Sequence, residues 1–254
     1  MHVVVNAAQS VDGKLATRRR EQLRISGAED FDRVDRVRAA ADAVLVGVGT
    51  VLADDPHLTL DEEARRVERL RNGRAGNPAR VVVDSTGRTP TDARILDDAA
   101  TTYLLVSEAA PDARREALAD AGAEVVVVER TGGDADDGGG DGVDADDGGG
   151  DGADADGDDG GHVDLAAGVD ALADRGVGRL MVEGGGEIIY SCFDAGLVDE
   201  LHLYVGSMVI GGRDAPTLAD GEGFTESFPR LELVDTERLD DGIVLSYAVG
   251  ESAG

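Results

Sequence analysis

Short apolar segments recur along the chain, and most are separated by polar segments with helical periodicity. Seven of them are rich in Val, Leu, Ile and Ala, which is typical of buried strands. They span 2–8, 42–49, 79–85, 101–107, 123–129, 179–183 and 200–210. Continuous apolar runs of this kind belong to strands that are covered on both faces, as in parallel sheets. The pattern therefore predicts a largely parallel sheet.

The segments between these strands predict helices. Phe31, Val34, Val37 and Ala41 recur at helical spacing and predict a helix over 28–41, with Ser26 as its N-cap. Further helices are predicted over 110–122, 164–175 and 187–196. The polar, Arg-rich stretch 61–79 predicts a loop with some helix.

The C-terminal part, 231–249, predicts an antiparallel hairpin that turns at "DDG", 240–242. Strands that alternate with helices and end in such a hairpin predict an α/β fold. We therefore expect one domain over 1–254, a mixed, mostly parallel sheet flanked by helices. Residues 131–161 consist mainly of Asp and Gly and cannot bury apolar surface. This stretch predicts a disordered insertion within the domain.

The net charge is −29, from 24 basic and 53 acidic residues, which disfavours nucleic acid and anionic membranes as partners. The basic residues are Arg apart from Lys14. An acidic, Lys-poor chain is suited to concentrated salt, which screens its self-repulsion, so we expect a halophile.

The N-terminus lacks the features of a signal peptide, and no apolar run is long enough to span a membrane, so a cytoplasmic protein is expected. One cysteine, Cys192, and widely separated histidines predict no metal site.

A glycine-rich stretch, "VEGGGE", follows the strand at 179–183 and precedes a predicted helix. Gly184, Gly185 and Gly186 would let backbone N–H groups approach an anion closely, beside the positive end of the helix. The stretch thus predicts a phosphate cradle, although a tight turn without a ligand would show the same glycines. Glu183 would then face a different ligand that carries hydroxyl groups.

Two further stretches carry candidate polar groups. In "VGVGTVLADDPHLT", 46–59, Thr50 and Asp54 could bind sugar hydroxyls, although an Asp-Pro turn alone explains the pattern. In "NAAQSVDGKLAT", 6–17, Lys14 could meet a phosphate or an electron-rich ring, and the alternative is a surface turn.

Together with "RVVVDSTGRTP" at 80–90 and "LMVEGGGEIIYSCFDAGLVDEL" from residue 180, these stretches occur in an order that resembles a known family. The family is that of the riboflavin-pathway reductases with a dihydrofolate-reductase-like fold, in particular the stand-alone archaeal type. The bacterial bifunctional members add a zinc deaminase with H-x-E and P-C-x-x-C motifs, which this chain lacks. The resemblance therefore implies reduction without deamination.

The resemblance implies that NADPH, with NADH as an alternative, reduces the ribosyl group of a diamino-(ribosylamino)-pyrimidinone 5′-phosphate to the ribityl form. By motif position, the residues implied to contact the cofactor are Thr50, Asp54, Asp84, Ser85, Gly184, Gly185 and Gly186. Those implied to contact the small-molecule substrate are Asn6, Ser26, Asp30, Lys14 and Glu183. Glu183 is also the catalytic candidate, with water as the alternative proton donor.

Asp35 stands where family members usually carry a His. Candidates for the 2′-phosphate of NADPH are Arg65, Arg66, Arg88 and Arg94. The family forms homodimers, to which the apolar strand 201–210 could contribute, its alternative role being a central core strand.

Two other functions stay open. One is a dihydrofolate-reductase-like oxidoreductase that acts on a pterin or on the deaminated pyrimidine. The other is a non-catalytic nucleotide-binding module.

Overall fold

The computed structural model describes residues 1–21, 23–130 and 162–250, so the predicted insertion 131–161 lies outside the described residues. The strands are β1 His2–Ser10, β2 Ala43–Gly47, β3 Ala79–Val83, β4 Thr102–Val106, β5 Ala123–Val127, β6 Arg179–Gly184, β7 Glu200–Gly206, β8 Leu231–Leu239 and β9 Gly242–Val249. The α-helices are α1 Ala28–Ala40, α2 Val48–Asp54, α3 Glu63–Arg71, α4 Asp112–Asp120, α5 Leu165–Ala173 and α6 Gly186–Asp194, and a 3-10 turn spans Arg94–Leu96.

The nine strands form a single sheet in the order β5-β4-β3-β2-β6-β1-β7-β9-β8. The strands from β5 to β7 in this order are parallel to their neighbours. The last two strands, β9 and β8, form an antiparallel hairpin that joins the sheet through β7. The predicted mixed sheet, mostly parallel and closed by a hairpin, is confirmed.

Both faces of the central strands are buried, which explains their continuous apolar sequences. In β2, Ala43 and Leu45 pack into one core with helices α5 and α6. Val44 and Val46 pack into a second core on the other face, where Leu118 of α4 lies. Because successive side chains of a strand point to opposite faces, a strand between two cores must be apolar throughout.

Five predicted strands are shorter than expected, and the two that differ most are those over 42–49 and 200–210. The strand predicted over 42–49 ends at Gly47, and the chain continues directly as helix α2 rather than as a loop. The strand predicted over 200–210 ends at Gly206. It lies between β1 and β9, so its backbone groups bond within this chain and leave no edge for a partner. The alternative of a central core strand is therefore the correct one.

Helix α1 buries polar residues beside its predicted apolar face, of which Val34, Val37 and Ala41 pack on the second core. Asp30, Arg33 and Asp35 are buried, whereas Phe31 is 47% exposed. Ser26 does not cap the helix, because Gly27 is the N-cap residue and makes no side-chain cap bond. The carboxylate of Asp240 takes this role and accepts from the backbone N–H groups of Glu29 and Asp30 at 3.3 and 3.1 Å.

This long-range cap ties the C-terminal hairpin to α1. The backbone N–H of Asp240 donates in return to the Glu29 carboxylate at 2.7 Å. Asp240 has φ +52°, a left-handed conformation that glycine adopts more easily than aspartate.

We expect Asp240→Gly to lower the free energy of unfolding by about 1 kcal/mol. The substitution favours the left-handed backbone conformation, but it removes the carboxylate that caps α1. Urea denaturation measures this change, and a more stable variant would show that the cap contributes nothing.

Candidate active site

One deep cleft of about 1650 Å³ opens beyond the carboxyl ends of β2, β3 and β6. Helices α1, α2 and α6 contribute residues to its walls. Ligands of open α/β sheets bind at this edge, because loops there converge from several parallel strands. The cleft is therefore the candidate active site.

The glycine stretch forms the turn between β6 and α6 and lines the cleft. A Cβ on Gly186 would lie 2.5 Å from the carbonyl oxygen of Thr217 and 2.5 Å from Asp220 Oδ2, so a side chain has no room there. A Cβ on Gly185 would lie 3.9 Å from Thr50 Oγ1. The first N–H groups of a helix have no acceptor within that helix. The turn thus presents bare backbone at the positive end of α6, which suits an anion such as a diphosphate.

Polar side chains flank this turn on the neighbouring elements. Thr50 and Asp54 of α2 line the cleft, as does Ser85 after β3. Burial raises the pKa of the Asp54 carboxyl above its usual value. Ser85 Oγ accepts from the backbone N–H of Val163 at 3.2 Å, which fixes the wall on this side.

A second polar group lies on β1 and α1. Asn6, Ser26 and Asp30 all line the cleft. The Arg33 guanidinium donates to Asn6 Oδ1 and to Asp30 Oδ1, both at 2.8 Å. Because Oδ1 of Asn6 is engaged in this way, its side-chain NH₂ is the group left to donate to a ligand.

Glu183 at the end of β6 forms a two-point ion pair with Arg38 of α1. Arg38 Nε and Nη2 donate to its two carboxylate oxygens at 2.5 and 2.6 Å. Burial alone would lower the pKa of Arg38, but the charge and hydrogen bonds of Glu183 outweigh it and raise that pKa. The pair holds both Glu183 oxygens in place as hydrogen-bond acceptors.

The family model of the RibD C-terminal domain matches residues 1–245. The chain belongs to this family. It is 42% identical over 246 residues to the 2,5-diamino-6-ribosylamino-4(3H)-pyrimidinone 5′-phosphate reductase of Archaeoglobus fulgidus, with 96% of each chain covered. It is 39% identical over 250 residues to the protein of the same name from Methanothermobacter thermautotrophicus, with 98% of each chain covered. The resemblance to the stand-alone archaeal type is confirmed.

A solved relative shows the same fold. The pyrimidine reductase-like protein of Corynebacterium diphtheriae superposes with a TM-score of 0.72 at 19% identity, and 98% of this chain and 92% of that chain are covered. Among the described residues no helix is long and apolar enough to cross a membrane.

Two of the predicted site residues do not reach the cleft of this RibD C-terminal domain. Lys14 Nζ donates to the carbonyl oxygen of Ala215 at 3.1 Å, and Lys14 is absent from the described lining of the cleft. The Asp84 carboxylate is fully buried and accepts from the backbone N–H groups of Arg88 and Thr89 at 2.8 and 2.7 Å. Local structure engages both side chains, and their contacts with a ligand stay predictions.

Several residues of the site were not predicted from the sequence. Arg33 orients Asn6 and Asp30, and Arg38 orients Glu183, although nothing in the local sequence distinguishes Arg38 from other helical arginines. Asp35, which stands where the family usually has His, accepts from Asp61 N at 2.8 Å and from Arg65 at 2.5 Å. It therefore links α1 to the segment around α3. The helical spacing of Arg33 and Asp30 was the one available signal.

Proposed function

We propose that this chain reduces the ribosyl group of 2,5-diamino-6-(ribosylamino)-4(3H)-pyrimidinone 5′-phosphate to the ribityl form in riboflavin biosynthesis. The observation that carries the proposal is a single cleft that holds both the glycine turn and the Asn6, Asp30 and Glu183 groups. Two relatives that bear this reductase name match nearly the full length of the chain. One cleft wall therefore suits a coenzyme diphosphate, and the other suits a polyhydroxylated substrate.

The glycine turn fits a nicotinamide coenzyme, because its bare amides and the positive end of α6 favour a diphosphate. The bound coenzyme supplies the hydride that the ribosyl carbon receives. We propose NADPH as this coenzyme, with NADH as the alternative. Thr50 and Ser85 would hold its ribose hydroxyls, and Asp54 lies on the same wall.

The other wall would position the substrate. Glu183, held by Arg38, would accept from a ring amino group or a sugar hydroxyl, and Asn6 would donate from its side-chain NH₂. Arg33 and Arg38 fix these groups before the substrate arrives. Orientation of this kind can contribute on the order of 7–11 kcal/mol to lowering a reaction barrier. Water is the proton donor in this scheme, since the Glu183 oxygens both accept.

Arg88 is the residue that we propose for the 2′-phosphate of NADPH. Of the four arginines considered from the sequence, only Arg88 lines the cleft. Arg65, Arg66 and Arg94 are absent from the described lining of the cleft.

We expect Arg88→Gln to weaken NADPH binding about tenfold or more, since charge-assisted bonds to a phosphate are lost. NADH binding should hardly change, because NADH lacks the 2′-phosphate. Dissociation constants for both coenzymes, measured by fluorescence titration, check this. An equal loss for the two coenzymes would contradict the assignment.

The cleft also carries exposed acidic side chains near the glycine turn, including Glu187 and Glu222. We propose a cytoplasmic protein of a salt-rich cell, in which salt screens these charges.

NADPH binding should therefore tighten as KCl rises from about 0.2 M to about 2 M, where the Debye length falls to a few ångströms and the acidic side chains repel the phosphates less. Adenosine, which has no phosphate, should show no such trend and serves as the control. Weaker NADPH binding at high salt would contradict this proposal.

We also propose a homodimer. The edge strand β8 exposes Leu231, Leu233 and Val234, and an unpaired edge of this kind can pair with a second chain. Sedimentation equilibrium tests the oligomeric state.

Absorbance at 340 nm, which follows NADPH oxidation, tests the proposed reaction. Turnover with the ribosylamino-pyrimidinone phosphate, and not with dihydrofolate, is expected. Preference for the deaminated pyrimidine would mean that this enzyme acts after the deamination step rather than before it. Tight NADPH binding without turnover of any of these compounds would indicate a nucleotide-binding module instead.

A further inference from the structure

A basic segment stands out in this acidic protein. Residues 18–24, "RRREQLR", contain four arginines in a chain of net charge −29. Two of them, Arg20 and Arg24, line the cleft on the side of Ser26 and Asp30. Both are exposed, and among the described residues neither forms an ion pair with a carboxylate. Unpaired guanidinium groups beside a cleft would attract an anionic ligand.

The other cationic groups on this side of the cleft are already engaged. Arg33 is bonded to Asp30 and Asn6, and Arg38 is paired with Glu183. Lys14 donates to a backbone carbonyl oxygen and does not line the cleft.

The N-terminus of α1 is also occupied, since Asp240 accepts from its N–H groups. Arg20 and Arg24 are therefore the candidate cations for a phosphate on this side.

Arg24 is oriented for this purpose by an aromatic ring. Its guanidinium carbon lies 5.2 Å from the ring centroid of Phe31, in the range of a cation–π contact. Phe31 is in the first turn of α1, is 47% exposed and itself lines the cleft. A guanidinium stacked on a ring keeps its N–H donors free in its own plane. The contact thus explains why an apolar ring stays at the mouth of the cleft.

We propose that Arg24, held by Phe31, binds the 5′-phosphate of the substrate. Arg24 is the specificity residue for the phosphate, and Phe31 is a positioning residue that acts through Arg24. The inference rests on the proposed substrate, which carries a phosphate at the end of its ribose. It assigns to Arg24 the contact that the sequence had suggested for Lys14.

The test is Arg24→Gln, with Arg19→Gln as the matched control. Arg19 belongs to the same basic segment and is exposed but does not line the cleft, so both variants lose one charge near the same place. We expect Arg24→Gln to raise KM for the phosphorylated substrate by about tenfold to a hundredfold. KM for the dephosphorylated substrate and the dissociation constant of NADPH should stay the same. Arg19→Gln should match the wild type in all three.

Phe31→Leu should raise the same KM by less, and Arg24→Gln/Phe31→Leu should be no worse than Arg24→Gln alone. Additive losses in the double variant would contradict a role of Phe31 through Arg24.

Calorimetric binding of ribose 5-phosphate separates this inference from the proposed reaction, because it needs no turnover. The wild type should bind this probe, and Arg24→Gln should bind it at least about tenfold more weakly. Equal binding by the two proteins would overturn the assignment, even if the enzyme proves to be the proposed reductase. Weaker binding of NADPH rather than ribose 5-phosphate in Arg24→Gln would place Arg24 on the coenzyme instead. Loss of binding in Arg24→Gln with no turnover in the wild type would keep the phosphate site and reject the reaction.

Discussion

Gly185→Val is expected to weaken NADPH binding by at least about a hundredfold, while the protein stays folded. Gly185 has φ −69° and ψ −179°, a conformation that valine adopts without strain. Its missing Cβ points towards Thr50 Oγ1, 3.9 Å away across the cleft wall, so the valine methyl groups would grow into the space beside the bare amides. A diphosphate can then no longer approach those N–H groups. The loss of several charge-assisted hydrogen bonds gives the expected magnitude.

Gly76→Val is the matched control for this substitution. A Cβ on Gly76 would make ordinary contact with Leu70 at 3.8 Å, and Gly76 does not line the cleft. Fluorescence titration gives the dissociation constants, and circular dichroism confirms that each variant is folded. If Gly185→Val bound NADPH as the wild type does, the coenzyme diphosphate would lie elsewhere and the glycine turn would be only a turn.

The sheet was predictable from the sequence because burial on both faces leaves a direct mark. Strand β2 lies between two cores, so every position is apolar and the run is visible without any partner. The glycine turn was predictable for a similar reason, since three adjacent glycines between a strand and a helix are a local pattern. Both features are determined by residues that are adjacent in the sequence, so they can be recognised from the sequence alone.

Contacts between distant residues could not be predicted in this way. The cap of α1 comes from Asp240, more than two hundred positions after the helix begins, so Ser26 was the best local candidate and was wrong. The pair of Arg38 and Glu183 joins residues 145 positions apart. Helix α1 also buries charges because such partners exist, so its apolar spacing gave only part of the buried face and misplaced Phe31.

The direction in which a side chain points could not be predicted from the sequence either. Asp84 and Ser85 are adjacent, yet Ser85 lines the cleft and Asp84 closes its own turn by accepting from Thr89 Oγ1 at 2.7 Å. Lys14 likewise lies in a family motif, but its ammonium bonds to Ala215. A motif locates a stretch of backbone at the site, whereas the hydrogen bonds around each side chain decide which residues face the ligand.

Arg38→Met is expected to reduce kcat/KM by about a hundredfold, chiefly through orientation of the substrate. The substitution removes both donors from Glu183, whose side chain is only 12% exposed. An unpaired carboxylate in this wall would turn towards water, and it would no longer hold the substrate in line with the coenzyme. Breaking such a pair should also lower the free energy of unfolding by about 3 kcal/mol.

The double variant Arg38→Met/Glu183→Gln distinguishes stability from catalysis. With the carboxylate neutralised, no charge is left buried without a partner, so most of the lost stability should return. Activity should not return, because the oriented acceptor is still missing. Urea denaturation and steady-state kinetics give the two quantities, and NADPH binding, which depends on the backbone amides of the glycine turn, should be unchanged throughout. Recovery of activity together with stability would show that the pair serves only the fold and that Glu183 does not position the substrate.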